Sequence, residues 1–212
     1  MFRGFAKDLA GTADICNTVT NVTKIQGATY LLPGEEILFA FASAKEEFVF
    51  TNEALLTVHG ENAMTTRKLV LRYEYRDHRI THVQFETTGR VDRDCEIKFR
   101  IGEFDMSIDI AKKEEELVKQ HYKTLVTLSR EQEKRAHNWS FAREALDKSS
   151  DAMKINGYSD PTLNLTNHAS GTLEWLEADF NRLNPRSYHA EIQAALASTG
   201  GLNAPSHRRS IV

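Results

Sequence analysis

"THVQFETTGRVDRDCEIKFRIGEFDMSIDI", residues 81–110, contains two runs in which apolar and polar side chains alternate. A period of two is the pattern of a strand with one face buried. A two-residue turn at Gly102-Glu103 sets Ile101 opposite Phe104, Phe99 opposite Met106, Ile97 opposite Ile108 and Cys95 opposite Ile110. Every inward pair is then apolar, and glycine stands at the first central position that a type II′ turn requires. On the other face Arg100 meets Asp105, an attractive cross-strand pair. Upstream, Val83 and Phe85 must share a face with Cys95, Ile97 and Phe99, and a slip of one residue would turn them outward. A five-residue loop, Thr88 to Asp92, meets that condition by pairing Phe85 with Cys95 and Val83 with Ile97. It leaves Glu86 opposite Asp94, with Arg90 and Arg93 near enough to offset the like charges. The charged middle of the stretch is read as solvated turn chemistry.

Period-two segments precede this hairpin as well. After the Pro-Gly turn of "LLPGEE", strands are predicted at 37–42, 46–51, 54–59, 67–75, 79–87, 93–101 and 104–110. "KKEEELVKQHYKTLVTL" then places Leu117, Val118, His121, Tyr122, Leu125 and Val126 along one helical face. Seven short strands and one amphipathic helix predict an α+β fold, a seven-stranded antiparallel barrel or sandwich with the helix covering an open end. Residues 1–30, with Phe2, Phe5, Leu9, Cys16 and Val19 near helical spacing, predict an N-terminal amphipathic helix. "SREQEKRAHN" reads as an exposed helical continuation or linker, and "WSFAREALDKSSDAM" as a short amphipathic helix. Asp160-Pro161 and Asn184-Pro185 mark two further helix starts, the last helix stopping at Gly200-Gly201. The expected organisation is a strand domain at 31–128, a helical region at 129–201 and a flexible tail at 202–212.

Composition narrows the function classes. The 212 residues carry a net charge of −3, and 41% are hydrophobic. A nucleic-acid-binding domain would usually be clearly basic. The two cysteines, Cys16 and Cys95, lack metal spacing, and free thiols fit a reducing, cytoplasmic compartment. No run of eighteen apolar residues exists to span a membrane. The N-terminal residues lack the continuous apolar core of a secretory signal.

"EEILFAF", "FVFTNEALLTV" and "YRDHRITHVQFETTGRVDRDCEIKFRI" together resemble the bacterial-type pleckstrin homology domain. The resemblance rests on Glu35 and Glu36, on Phe50, Thr51 and Asn52, and on Ile80, Thr81 and His82. It also rests on Glu86, Thr87, Gly89, Asp92 and Glu96, and it covers about residues 31 to 128. It implies two packed antiparallel sheets capped by a C-terminal helix, in a non-enzymatic module that binds proteins or inositol phospholipids. Members of the family are known mainly as oligomer-forming domains. The first hairpin here, "FASAKEEFVF", offers only Lys45 against Glu46 and Glu47, which departs from a phosphoinositide-binding pattern.

Candidate chemistry is sparse. The most basic stretch supplies Arg67, Lys68, Arg72, Arg76 and Arg79 as an anion- or lipid-contacting surface, if Leu69, Leu71, Tyr73 and Tyr75 face the core. Three surplus charges at an anionic leaflet contribute roughly 1 kcal/mol each. The total of about 3 kcal/mol is weaker than millimolar binding. Only avidity in an oligomer would make it effective. His78 and His82, at i, i+4 on a strand, are roughly 13 Å apart and cannot share a metal ion. Asp92, Asp94 and Glu96 form a row of carboxylates without a calcium loop. No nucleophile elbow or phosphate-cradling glycine loop is present, so no catalytic, cofactor or metal residues are assigned. Trp175, Leu176 and Phe180 in the helical region are candidate partner contacts. Ser210 and Val212 end the chain in a pattern that PDZ domains capture. The expected function is a non-enzymatic adaptor or scaffold acting through a protein partner or homo-oligomer, without nucleic acid. A peripheral protein on anionic membrane lipid is the alternative.

Overall fold

The computed structural model describes residues 14–60, 67–87, 94–156 and 165–200. Eight strands and three α-helices are present among them. The strands are β1 (Asn17–Thr18), β2 (Ile37–Ala42), β3 (Glu46–Thr51), β4 (Ala54–Gly60), β5 (Lys68–Glu74), β6 (Ile80–Glu86), β7 (Asp94–Ile101) and β8 (Phe104–Ala111). The helices are α1 (Glu115–Asn156), α2 (Leu165–Leu183) and α3 (His189–Gly200). Antiparallel pairing gives a five-stranded sheet, β1-β2-β3-β4-β5, and a three-stranded sheet, β6-β7-β8. The result is a sandwich of two sheets rather than a closed barrel.

The β7–β8 hairpin has the predicted register, from Cys95 opposite Ile110 to Ile101 opposite Phe104. Gly102 has φ +57°, as the first central residue of a type II′ turn must. Between β6 and β7 the faces are as predicted, but the register differs by two residues: Phe85 lies opposite Ile97 and Glu86 opposite Glu96. A two-residue shift preserves which side chains face inward, so alternation alone cannot choose between the two registers. The observed one lets Lys98 bridge both carboxylates, Glu86 at 2.8 Å and Glu96 at 2.8 Å. The pairing shifts again between Thr81 and Gln84, where His82 takes φ +53°.

Two compact units divide the chain, Met1–Ser129 with Ser187–Val212, and Arg130–Arg186. The first therefore includes α3, which the sequence had placed in a separate helical region. Its core joins Phe39, Phe41, Phe50, Leu55 and Tyr73 of one sheet to Ile80, Ile97, Phe99, Ile108 and Ile110 of the other. Val118, Leu125 and Leu128 of α1, with Tyr188 and Ile192, belong to the same cluster. Asn52 anchors the return of the chain, accepting from the Tyr188 amide at 2.7 Å and donating to Ser187 at 3.0 Å.

The expected helix over 1–30 is not present in the described part of that segment; residues 1–13, with Phe2, Phe5 and Leu9, lie outside the described residues. Cys16 is extended. It donates its amide to the Asp109 carbonyl at 2.8 Å and accepts from the Ala111 amide at 3.0 Å, while β1 pairs with β2. Backbone pairing at a sheet corner determines the conformation there, and the apolar spacing arises from alternate burial rather than from a helix. Residues 22–30 form short 3-10 turns on the outer face of the larger sheet, where Ile25 packs with Ala40, Val49 and Leu56. Covering this face explains why β3 and β4 are buried on both sides.

In the second unit Trp139 meets Phe180 edge to face, with ring centroids 5.4 Å apart. The ion pairs Glu131–Arg135 and Glu144–Lys148 line the α1 surface at helical spacing. The predicted helical continuation through 129–138 is part of α1.

Two stability measurements follow from these contacts. Gly102→Ala places a Cβ at a positive φ and 2.8 Å from the His78 ring; a loss of about 1–3 kcal/mol is expected in urea unfolding. His121 is only 5% exposed, stacks on Phe39 with centroids 4.6 Å apart, and its Nδ1 has no hydrogen-bond partner. Burial pushes its imidazole down to about 4. The unfolded chain takes up a proton below its ordinary value near 6.5, and the folded chain refuses it. Stability is therefore fully present above that value and falls as pH drops through 4, by about 3 kcal/mol. Urea titrations of His121→Leu are expected to show a correspondingly flatter pH dependence over this window.

Candidate docking site at the open corner of the sandwich

The two corners of the sandwich differ. At one, Cys16 bonds to β8 and the next residues bond to β2, including the Val19 amide to the Ala40 carbonyl at 2.9 Å. At the other, β5 and β6 are joined through the turn after Glu74, yet no strand among the described residues pairs with the outer edge of either. The direction of the free backbone groups on β5 follows from two bonds. The Tyr75 amide donates to the Glu53 carbonyl at 2.9 Å, and the Gly60 amide donates to Lys45 at 2.8 Å. Odd residues of β4 thus face β5 and even ones face β3. By antiparallel alternation, the odd residues of β5 bond to β4, and Lys68, Val70, Arg72 and Glu74 aim their amides and carbonyls away from it.

The inner face of this edge is apolar. Tyr73 and Tyr75 are buried as the sequence predicts, but Leu69 is 58% and Leu71 38% exposed. They are on the predicted face of the sheet, but the smaller sheet does not cover them. Phe104, opposite Ile101, is 50% exposed and packs its ring against Tyr73 with centroids 5.1 Å apart. Sequence reasoning missed this patch because alternation reports the face of a residue and not how far the opposing layer extends.

The basic residues do not form one surface. Arg67 and Lys68 stand at the start of β5, beside His59, around a cavity of about 390 Å³. Arg76 and Arg79 lie in and after the turn at its far end, roughly 20 Å away by strand rise. Arg72 is held internally: its Nη1 donates to Glu35 at 2.9 Å and its Nε to Glu74 at 2.5 Å. The Glu35 side chain is 0% exposed, and it also accepts from the Leu32 amide at 2.9 Å and from the Thr51 hydroxyl. Burial alone would raise its carboxyl, but the bonds from Arg72, Leu32 and Thr51 outweigh burial and hold it below the usual range.

The residues behind the family resemblance thus include a structural hub. Thr51 accepts from the Ala54 amide at 2.9 Å, and Asn52 accepts from the Glu36 amide at 2.7 Å. Of the carboxylate row, Glu96 bonds to Ser107 and Lys98, Asp94 opens β7, and Asp92 lies outside the described residues. A cavity of about 440 Å³ lies at the β6 bulge, lined in part by His82, Gln84, Lys98 and Arg100. Both of its cations are already matched, Arg100 by Asp105 at 2.9 Å. Among the described residues no cluster of three or more His, Cys, Asp or Glu could hold a metal ion, and no helix is long and apolar enough to cross a membrane. Trp175 on α2 is exposed, Leu176 is half-buried and Phe180 contacts Trp139. Ser210 and Val212 lie outside the described residues.

Glu35→Gln would leave the Arg72 guanidinium without its buried carboxylate. The expected loss is about 2–3 kcal/mol in urea unfolding, whereas Glu36→Gln, at an exposed carboxylate, is expected to change stability by less than about 0.5 kcal/mol.

Comparison with known proteins agrees with this architecture. The sequence profile of the family described as Bacterial PH domain matches residues 5–129. An uncharacterised protein of Bacillus subtilis (strain 168), YvbH, is 35% identical over 133 residues, which are 61% of this chain and 65% of that protein. The matched part thus spans just under two thirds of the relative's length. The crystal structure of a PH-domain-containing protein from Exiguobacterium sibiricum 255-15 superposes with a TM-score of 0.79 at 30% identity, covering 86% of this chain and 100% of that one. A pleckstrin-homology-domain protein from Shewanella loihica PV-4 is also similar, with a TM-score of 0.43 at 21% identity over 54% of this chain and 97% of its own. With the match to the family spanning more than half of its length, and the two-sheet sandwich capped by α1, this chain belongs to the bacterial PH domain family.

Proposed function

We propose that this protein is a non-catalytic interaction module that docks a protein segment at the open corner between β5 and β6. The observation that carries this reading is the coincidence of an unpaired seven-residue strand edge with exposed Leu69, Leu71 and Phe104. A long apolar edge invites strand addition, in which main-chain bonds supply affinity and side-chain contacts supply specificity. The family is built on a domain type that is generally non-catalytic, which supports a binding role. The adaptor or scaffold role follows from carrying such an edge together with a second, helical unit whose Trp175 and Leu173 are exposed.

Contact with anionic lipid is the competing outcome. It is weakened because Arg72 is engaged by Glu35 and Glu74 and because Arg67 and Lys68 stand a strand's length from Arg76 and Arg79. A photo-crosslinking amino acid at position 71, introduced in bacterial cells, is expected to give protein adducts that the same probe at exposed Thr23 does not. Absence of adducts at 71 would contradict the reading. So would salt-sensitive sedimentation with anionic vesicles that Arg67→Glu with Lys68→Glu abolishes, if adducts were absent.

A further inference from the structure

We propose that the segment docked on β5 is the β5 strand of a second copy of this chain, related by a two-fold axis at Leu71. This rests on the reading of the open corner as a protein-docking site, and it names the occupant.

The free backbone groups limit the possible registers. Two identical edges related by a two-fold axis pair antiparallel. The outward-pointing residues of β5 are even-numbered, so an even residue of one copy must face an even residue of the other. Registers that set even against odd would mismatch the hydrogen bonds and place apolar Leu71 on the polar face. Charge selects among the registers that remain. Centring the axis on Val70 sets Lys68 against the partner's Arg72, and centring it on Arg72 sets two guanidiniums face to face. Centring it on Leu71 sets Lys68 against the partner's Glu74 twice, and Val70 against Arg72 twice. On the inner face it sets Leu71 on Leu71 and Leu69 against Tyr73. In this register the two most exposed apolar side chains of the edge are covered, the edge charges pair with opposite sign, and every outward amide of the strand meets a carbonyl. Leu71 with its mate is then a non-hydrogen-bonded pair, the closer-spaced kind, with Cα atoms about 4.5 Å apart. Nothing in β5 itself blocks this edge: it has no proline or bulge, and its pairing with β4 is uninterrupted from Lys68 to Glu74.

Three variants of the full chain test the register. In Leu71→Cys, mild oxidation is expected to yield a disulfide-linked dimer, while the native thiols stay silent: Cys16 and Cys95 are buried, with burial pushing them up to about 12 and about 11. Val70→Pro deletes an amide that points away from β4, so its circular dichroism should remain native while self-association falls at least tenfold. Lys68→Glu and Glu74→Lys should each weaken the homodimer at least tenfold. A one-to-one mixture should restore it, because each copy then supplies the charge the other lacks. A monomer at 100 µM with no Leu71→Cys cross-link overturns the second-copy occupant, as does a dimer that neither the proline nor the charge variants disturb. Protein adducts at position 71 that contain only foreign chains would leave the docking reading standing and this inference refuted.

Discussion

Every backbone amide and carbonyl at a strand edge needs a partner or water, and this requirement determines the character of the two corners of the sandwich. At one corner residues 16–19 meet it by bonding to both sheets in succession, so the smaller sheet is joined to the larger by main chain. The apolar interior can then close beneath α1, with Val118, His121 and Leu125 placed against Phe39 and Phe41. At the other corner the chain crosses between sheets through a turn and leaves β5 with an unmatched edge. Function is assigned to that asymmetry. A corner closed by its own chain contributes stability, whereas a corner left open can contribute recognition.

The polar hub at Glu35 serves the same asymmetry from behind the larger sheet. A carboxylate fully withdrawn from water is tolerable because a guanidinium, an amide and a hydroxyl surround it. Those three donors come from β5, from the segment before β2 and from the end of β3. The hub thus fixes β5 laterally without occupying its outer edge. It also removes Arg72 from the charges available to a membrane or an anion, although the strand reads as the most basic part of the chain.

Much of this was legible in the sequence, and the misses have physical causes. Period-two alternation located all seven longer strands, and the Gly102-Glu103 turn set one hairpin in register, because a one-residue slip there would expose Ile97 and Phe99. Alternation could not distinguish registers two residues apart, so the β6–β7 hairpin differed by two. The two-residue β1 is too short to carry a period, and the apolar spacing of Cys16 and Val19 imitates a helical turn. The helix starting after Asn184-Pro185 was visible as a helix, but its destination was not: Tyr188 and Ile192 pack into the strand domain through tertiary contacts that no local pattern encodes. The exposure of Leu69, Leu71 and Phe104 was hidden for the same reason.

Amide hydrogen exchange resolved residue by residue along β5 tests the central claim most directly. Amides of Leu69, Leu71 and Tyr73, bonded to β4, should be protected at every protein concentration. Those of Val70, Arg72 and Glu74 should exchange quickly in dilute solution and gain protection as the protein is concentrated or its partner is added. Equal protection of odd and even residues in the dilute monomer would mean that the edge is already paired within the chain, and the open corner with the role assigned to it would be wrong.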